Sequence, residues 1–585
     1  MSNPFNRVGR LRLKRNIFDL SYRVTTTCDM GQLIPVCTYD CIPGDYFKLG
    51  NQLTIRFQPL AAPVMHEFSA SVHYFFVPYR LLWSLWEEFI RQGDYTRDPD
   101  ITPPRIHFAA RPNGERPQPG GGIDPSSLFQ TLWDYFGFPV FDTSSDNFQQ
   151  LEYPDPSTPE GHAMYPLDFL WRCYHYIWDE YYRDQNMQAE SEWESWFDGQ
   201  KTPDGTINSE MNTIRRRCWR KDYFTASLPF RQKGIAPALP VSITDDPDAA
   251  AFIRLSAQYG NGNIGLENGV FINSGIPPNP APGLPWTSET VQVSNTTGFT
   301  QPGPTMFGMT PEQIAQNLDA ATFDVSDLRL SFQVQKWLER NARCGTERYT
   351  EFLQAHFGVS PSDARLQRPE YIGGTKMPII ISEVLQTSQT VESGSDPSAL
   401  ASMAGHGLAA DAQFAGKYNV QEYGIIMGLL SVMPKPQYSG QGISRIWDRR
   451  LPIDYYFGEF AHLSEQDVKT KEIYWSDDSI SNDTIFGYMG QYDEYRSMQD
   501  VVTGEMRRTG GNFSNPAQHM GLSYWHLARY FYNAPRLNSD FVECNPRKDI
   551  FAVTDVPGLV VNCHNRTHAI RPMPLIAEPG LIDHF

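Results

Sequence analysis

The sequence has no apolar stretch long enough to cross a lipid bilayer. Its longest nearly continuous apolar run covers residues 423–433 (YGIIMGLLSVM), whereas a membrane-spanning helix needs about 20 residues. The basic residues near the start alternate with single apolar ones, without the apolar run of a secretory signal. We therefore expect neither export nor membrane insertion, and we predict that residues 423–433 form a buried strand.

Closely paired cysteines are also missing. The eight cysteines are widely spaced and include no CxxC pair, which favours free thiols in a reducing compartment. They are Cys28, Cys37, Cys41, Cys173, Cys218, Cys344, Cys544 and Cys563. The single CxxxC of Cys37 and Cys41 is more typical of two buried thiols than of a metal site.

The sequence contains no complete motif of a known class of catalytic site. It contains no GxSxG, HExxH or Walker motif. Residues 260–265 (GNGNIG) match the dinucleotide-binding spacing GxGxxG, but the following LENGVFINSGIPP cannot form the helix that this site requires. We predict no cofactor and no enzymatic activity.

Two groups of potential metal ligands are incomplete. Cys563, His564 and His568 lie close together, with His526 upstream, but zinc sites usually use two ligand pairs, and only one is present. The acidic turn 477–483 lacks the glycine of a calcium-binding loop. We interpret the histidines as surface or interface residues and the turn as solvated, with weak cation binding there left as an alternative.

Charge is distributed unevenly along the chain. The net charge is −18, which disfavours binding of nucleic acid by the protein as a whole. The first 18 residues contain five cations and no acid: Arg7, Arg10, Arg12, Lys14 and Arg15. Such an arm can neutralise phosphates without reading sequence, so we predict a nucleic-acid contact there; an ordinary solvated terminus is the alternative.

Strand patterns occur near both ends of the chain. Residues 53–58 alternate apolar and polar side chains, and every second residue from Phe68 to Phe76 can share one face of a strand. Residues 550–553, 559–561 and 569–570 are short β-like pieces. The 44 glycines and 45 prolines favour many turns and long loops. We predict a sheet assembled from both ends of the chain, a Greek-key sandwich with enlarged loops.

Helices are predicted inside those enlarged loops. Apolar residues recur at three- and four-residue steps after Pro166, from Leu167 to Tyr181. A second helix is predicted from Ser326, the candidate N-cap, up to Gly345.

Residues 241–322 differ in composition from the rest. They are rich in Gly, Pro, Asn, Ser and Thr and nearly free of Lys and Arg, which predicts a surface segment. A disordered linker is the alternative. Against it, the segment contains apolar side chains that can pack against like neighbours: Phe271, Ile272, Trp286, Val291, Val293 and Phe307.

Many segments, in order along nearly the whole chain, resemble the major capsid proteins of microviruses, and specifically the gokushovirus branch. They are DMGQLIPV (29–36), PGDYFKL (43–49), HYFFVPYRLLW (73–83), KDYFTASLPFRQKG (221–234), residues 328–374, FGEFAHLSEQ (457–466), EYRSMQDVVTGEMR (494–507) and RPMPL (571–575). The resemblance implies an eight-stranded antiparallel viral jelly roll with long insertions that contain some helices. It also implies a T=1 icosahedral shell around a circular single-stranded DNA genome.

The resemblance also implies a division of the chain. Residues 1–20 would be the basic arm, residues 21–240 and 323–585 the jelly-roll body, and residues 241–322 an insertion built by three subunits into a threefold protrusion that attaches to a host surface receptor. The partners would be other copies of the chain, viral single-stranded DNA, a small basic DNA-packaging protein and a pilot protein. Assembly would take place in the bacterial cytoplasm.

A second class of function is a β-sandwich glycosidase or carbohydrate-binding protein. The aromatic content suits stacking on sugars, and acidic pairs such as Glu87 and Glu88 could supply carboxylates. This alternative predicts an export signal, which the sequence lacks.

Overall fold

The computed structural model of the protein describes residues 14–91, 103–106, 129–140, 166–193, 211–234, 242–243, 255–256, 263–266, 271–273, 292–294, 321–322, 325–343, 348–385, 403–462, 465–477, 479–508 and 521–576. No helix within these ranges is long and apolar enough to span a membrane. The cysteines in these ranges form no disulfide, and all but Cys218 are buried, as predicted for free thiols; Cys344 lies outside them.

Antiparallel strands dominate the described part of the chain. They are β1 (Asn16–Asp19), β2 (Tyr22–Cys28), β3 (Ile34–Cys41), β4 (Tyr46–Phe57), β5 (Phe68–Pro78), β6 (Ser242–Ile243), β7 (Leu255–Ser256), β8 (Asn263–Leu266), β9 (Phe271–Asn273), β10 (Gln292–Ser294), β11 (Ala321–Thr322), β12 (Glu370–Leu385), β13 (Met403–Asn419), β14 (Gly424–Pro434), β15 (Gln466–Lys469), β16 (Ile485–Met489) and β17 (Leu559–Arg571).

Most helices are short and lie between strands. They are α1 (Tyr79–Leu82), α2 (Trp86–Ile90), α3 (Leu132–Tyr135), α4 (Phe169–Ile177), α5 (Val325–Arg343), α6 (Tyr349–Phe357), α7 (Thr470–Ile473), α8 (Ser479–Asp483) and α9 (Ser539–Val542). A π-helical turn, Trp178–Tyr182, extends α4. Single 3₁₀ turns are Arg445–Trp447, Pro452–Asp454, Gly458–Phe460, Asp493–Tyr495, Gly504–Arg507 and Ser523–Trp525.

Strands from both ends of the chain meet in one large sheet. Its hydrogen-bonded order is β1-β17-β4-β13-β12-β5-β14-β3, and β2 also pairs with β17. One edge of β17 pairs with β1 and β2, and its other edge pairs with β4. The whole sheet is antiparallel and curled, which confirms the predicted mainly β jelly roll.

The sheet folds back on itself along β12 and β13. The first part of β12 pairs with β5 and its last part with β13, while the later part of β13 pairs with β4. Both strands bulge away from this division, β12 between Tyr371 and Gly373 in the part that pairs with β5, and β13 between Phe414 and Gly416 in the part that pairs with β4. Bulges of this kind bend a strand and increase its twist, which lets the two halves face each other.

The main core lies between the two halves. Inward side chains of β4, β5, β14 and β17 pack together there, among them Phe47, Ile55, Val72, Tyr74, Ile426 and Val561. Side-chain hydrogen bonds tie β2 and the preceding turn to β3. The N–H of Thr38 donates to the Tyr22 hydroxyl at 2.9 Å, and the Tyr39 hydroxyl donates to the carbonyl of Leu20 at 3.2 Å.

A second apolar layer covers the other face of β5 and β14. Phe75 and Met427 pack there against helical residues such as Trp171 and Tyr174. Every residue of β14 is buried, so the buried strand predicted at residues 423–433 is confirmed, although it begins at Gly424 and leaves Tyr423 exposed. The helix predicted after Pro166 is also present, and it begins at Phe169.

Residues 234–338 form a second compact unit. In it β6 pairs with β11, and β10, β9, β8 and β7 form a four-stranded sheet in that order. Helix α5 begins at Val325, so Ser326 lies inside the helix. The prediction of Ser326 as N-cap is therefore wrong; Gly345 falls outside the described residues.

Candidate assembly and nucleic-acid surfaces

Loops between β14 and β17 carry many large apolar side chains that are exposed to solvent. We call the exposed apolar residues of segments 443–462 and 493–501 the apolar loop surface. Trp447 is 84% exposed and Met498 87%. The other members are Ile443, Leu451, Ile453, Tyr455, Tyr456, Phe457, Tyr495 and Val501. Single exposed apolar residues are ordinary on a protein surface, but this many in two short segments are typical of a protein–protein interface.

Buried polar contacts hold the apolar loop surface in place. The hydroxyl of the buried Tyr492 donates one bifurcated hydrogen bond, to the carbonyls of Ile453 (3.1 Å) and Tyr455 (3.0 Å). The guanidinium of Arg449 lies 5.1 Å from the ring centre of Tyr455 and 4.5 Å from that of Tyr495. These cation–π contacts link the two segments. The apolar side chains are therefore presented outward by a loop structure that is itself well anchored.

A cavity of about 390 Å³ lies beside these loops and is lined by several carboxylates. Two of these carboxylates, Asp454 and Glu494, already accept hydrogen bonds. Glu494 accepts a hydrogen bond from Gln466 at 2.6 Å, and Asp454 accepts from the backbone N–H groups of Arg450 and Leu451. These backbone donors help hold the pKa of Asp454 below its usual value, against the opposing effect of burial. The cavity is therefore best explained as part of the loop scaffold.

The predicted nucleic-acid arm is only partly described. Lys14 and Arg15 are exposed and lead directly into β1. Arg7, Arg10 and Arg12 lie outside the described residues. The DNA contact of this arm stays a prediction.

Three of the six apolar residues predicted for the protrusion, Phe271, Ile272 and Val293, lie on strands of the four-stranded sheet of the second unit. Ile272 on β9 lies directly opposite Val293 on β10 and Ile264 on β8, and Phe271 lies opposite Ser294. Trp286, Val291 and Phe307 lie outside the described residues. The pairing brings Ile272 and Val293 together along the backbone, and the role of this segment stays a prediction.

The cysteine and histidine cluster does not form a metal site. Cys563 is buried in the main core, whereas His564 is its neighbour on an alternating strand and faces the other side. His568 is exposed, with its Nδ1 3.7 Å from a carboxylate oxygen of Asp19. His526 accepts from the N–H of Ala528 through Nδ1, and its Nε2 lies 2.9 Å from the carbonyl of Met506. Within the described ranges no group of His, Cys, Asp and Glu could hold a metal ion.

The remaining motif candidates have structural explanations. In the acidic turn, Asp483 Oδ1 lies 3.2 Å from Lys469 Nζ and 3.4 Å from Lys471 Nζ. The hydrogen bond and the positive charge of Lys469 lower the pKa of Asp483. Asp477 is exposed, and Asp478 falls outside the described residues. At the glycine motif, Asn263–Leu266 is a strand, whereas a dinucleotide site needs a helix following its glycines.

Sequence reasoning missed the apolar loop surface. The available signal was the run LPIDYYFGEF at 451–460, where aromatic residues follow a proline without strand or helix periodicity. Such a run has no internal face on which to bury its rings, which suggests that another surface covers them.

Comparison with known proteins gives consistent results over nearly the whole chain. The profile of a protein family described as Capsid protein (F protein) matches residues 7–139 and 162–581. Capsid protein VP1 of Chlamydia phage 1 is 30% identical, over 99% of this chain and 98% of its own. Capsid protein VP1 of Bdellovibrio phage phiMH2K is 29% identical over 100% and 98%, and that of Spiroplasma virus 4 is 28% identical over 97% and 96%.

Proposed function

Since the chain belongs to the capsid protein (F protein) family and is a microvirus major capsid protein, we propose that copies of it close into a T=1 icosahedral shell around a circular single-stranded DNA genome. The protein is a structural component of the virion and not an enzyme. Its assembly takes place in the cytoplasm of the bacterial host.

The apolar loop surface supports closed assembly most directly. A lone copy leaves Trp447 and Met498 almost fully in water, which is unfavourable by about 25 cal/mol for each Å² of apolar area. Obligate interfaces between subunits are large and comparatively apolar. Copies packed side by side would cover this surface.

Electron microscopy of the purified full-length protein tests the shell. We expect uniform closed particles whose averaged images obey the icosahedral symmetry of a T=1 lattice. Open tubes, a larger lattice or a monomer in every assembly condition would contradict the proposal.

The basic arm would face the genome, with Arg7, Arg10, Arg12, Lys14 and Arg15 close to phosphates. A small basic packaging protein would share this neutralisation, and a pilot protein would complete the particle. Mass spectrometry of intact particles tests both partners. Particles that contain DNA but only this chain would argue against them.

Residues 241–322 would form the threefold protrusion and attach to a host surface receptor. Joining residue 240 to residue 323 by a short Gly-Ser linker tests this role. We expect shells that still close but no longer adsorb to host cells. Particles of the deletion variant with normal infectivity would rule out the attachment role.

A further inference from the structure

The outward face of the sheet formed by β2, β17, β4 and β13 is rich in cations. We call its five exposed cations the cationic sheet face: Arg23, Lys48, Arg56, Lys417 and Arg566. Along β4 and β17 these positions alternate with buried ones, and side chains two apart on a strand share a face. The strand registers also place several of these residues next to each other on neighbouring strands. Lys48 lies opposite both His568 and Lys417, and Arg566 lies opposite Gly50.

These five charges are not neutralised within the described part of the chain. None of them is within 4.0 Å of a carboxylate there, while cations elsewhere are, such as Arg172 with Asp168 and Lys548 with Asp29. The contrast is notable because the whole chain has 67 acidic residues and 49 Lys and Arg. The cationic sheet face is therefore positive on a protein that is negative overall.

Lys48 and Lys417 give the most specific signal. They are directly opposed on neighbouring strands, β4 and β13. Like charges at directly opposite positions destabilise a sheet. An anion bound between them would replace this repulsion with two attractions.

The surrounding side chains suit a nucleic-acid strand. Gln52 and Asn562 offer uncharged hydrogen-bond donors on the same face, and such groups commonly contact phosphate and sugar. Phe414 is 62% exposed and lies opposite Gly50, which has no side chain to cover it. Exposed aromatic rings beside cations are the usual elements of sequence-tolerant single-strand binding.

The position of the face favours nucleic acid over an acidic patch on a second copy. Lys14 and Arg15 lead into β1, which pairs with the same strand β17 that carries Arg566. Lys14 and Arg15 are therefore adjacent in sequence to a strand of the same sheet. The most exposed apolar residues, Trp447 and Met498, belong instead to the apolar loop surface.

We propose that the cationic sheet face binds single-stranded DNA through its phosphates, without reading base sequence. This inference rests on the proposed enclosure of a single-stranded genome and adds to it a rigid phosphate-binding surface on the body, beside the arm. Residues two apart on a strand are about 6.8 Å apart and neighbouring strands about 4.8 Å apart, so the cations can follow a backbone crossing the sheet.

A matched pair of triple variants tests the proposal in the full-length protein. The first is K48Q/K417Q/R566Q. The control is R220Q/R365Q/R536Q, which removes the same charge from exposed cations elsewhere. Binding of a fluorescent oligothymidylate is measured over a range of salt concentrations. Single-strand binding has a log–log salt slope of about −0.7 for each phosphate contacted, so the first variant should have a slope shallower by about 2, and the control the wild-type slope.

Several outcomes would overturn the inference. Equal weakening by both triple variants would mean that only net charge matters, and no change in the first variant would place the contact elsewhere. Loss of DNA-free shell assembly in the first variant, with oligothymidylate binding unchanged, would mean that the face binds another copy.

Electron microscopy of the same samples distinguishes this inference from the proposed shell, because wild-type protein that binds oligothymidylate without closing into shells contradicts the shell alone. Thermal unfolding of the first variant should occur at or above the wild-type temperature, since a repulsive pair is removed.

Discussion

The side-chain amide of Gln413 on β13 bonds to both backbone groups of Lys376 on β12, where the two strands have no backbone pairing. The N–H of Lys376 donates to Gln413 Oε1 at 3.1 Å, and Gln413 Nε2 donates to the carbonyl of Lys376 at 3.1 Å. These bonds join the part of β12 that pairs with β5 to the part of β13 that pairs with β4. A single side chain therefore bridges the place where the curled sheet divides into two halves.

We expect Gln413→Ala to lower the free energy of unfolding by about 0.5–1.5 kcal/mol, the usual net contribution of a hydrogen bond. The bonds are partly accessible to water, which limits the loss. Urea unfolding measures it, and Gln52→Ala, an exposed glutamine on neighbouring β4, is the matched control, with an expected change below about 0.5 kcal/mol. Equal effects of the two substitutions would contradict the bridging role.

Gly373 allows the two bulged strands to approach closely. A Cβ added there would lie 2.3 Å from the carbonyl oxygen of Ala415, so backbone would have to move. We expect Gly373→Ala to destabilise the protein by about 1–3 kcal/mol, as overpacking does. Gly458→Ala, where an added Cβ meets nothing within 4 Å, should be close to neutral. Thermal unfolding of both variants decides the point.

Asp179 should make stability depend on pH in an unusual direction. Burial raises its pKa from 3.8 to about 6, although Ser191 and Arg183 partly oppose the shift. Between about pH 4 and 6 the folded protein therefore holds a proton that the unfolded chain has lost, and this group's contribution to stability falls as pH rises. The stability difference between wild type and Asp179→Asn should fall over that range and level off above it. A difference that rises with pH would disprove the raised pKa.

The apolar loop surface can be tested without disturbing the folded subunit. Trp447→Asp places a charge at a site that is 84% exposed, so the unfolding temperature of the unassembled protein should change little. Burial of that charge between copies would be costly, and sedimentation should show fewer closed shells, with Trp447→Phe assembling normally. Normal assembly of Trp447→Asp would remove this surface from the interface.

Sequence patterns predicted the strands with a continuous or alternating apolar character. Strand β14 was predicted because nearly every residue is apolar, which reflects burial on both faces. Strand β17 was predicted only as two short pieces, and this was wrong, since Leu559–Arg571 is one strand. The piece predicted at residues 550–553 was also wrong, since only Phe551 makes an isolated bridge there, with Leu60. The inward positions of β17 include Asn565, whose Nδ2 donates to the carbonyl of Val36 at 2.7 Å. A buried polar residue with a distant partner hides the alternation.

The candidate surfaces were harder to predict for a physical reason. The residues of the apolar loop surface are exposed because no other part of the described chain covers them. Local sequence does not show which residues the rest of the fold will leave uncovered. The cationic sheet face was in principle accessible, because Lys48 and Arg56 occupy polar positions of an alternating strand. What the sequence could not supply is the register that places Lys417, more than 350 residues later, beside Lys48.

The place of β17 in the sheet has a consequence for how the protein is made. Its residues 559–571 lie between β1 and β2 on one edge and β4 on the other. The early strands β1, β2 and β4 therefore cannot complete their pairing until the end of the chain has been synthesised. At roughly 5–20 residues per second, the delay is on the order of half a minute to two minutes. During that time β2 and β4 present open edges, with which strands of other nascent chains on the same polysome can pair.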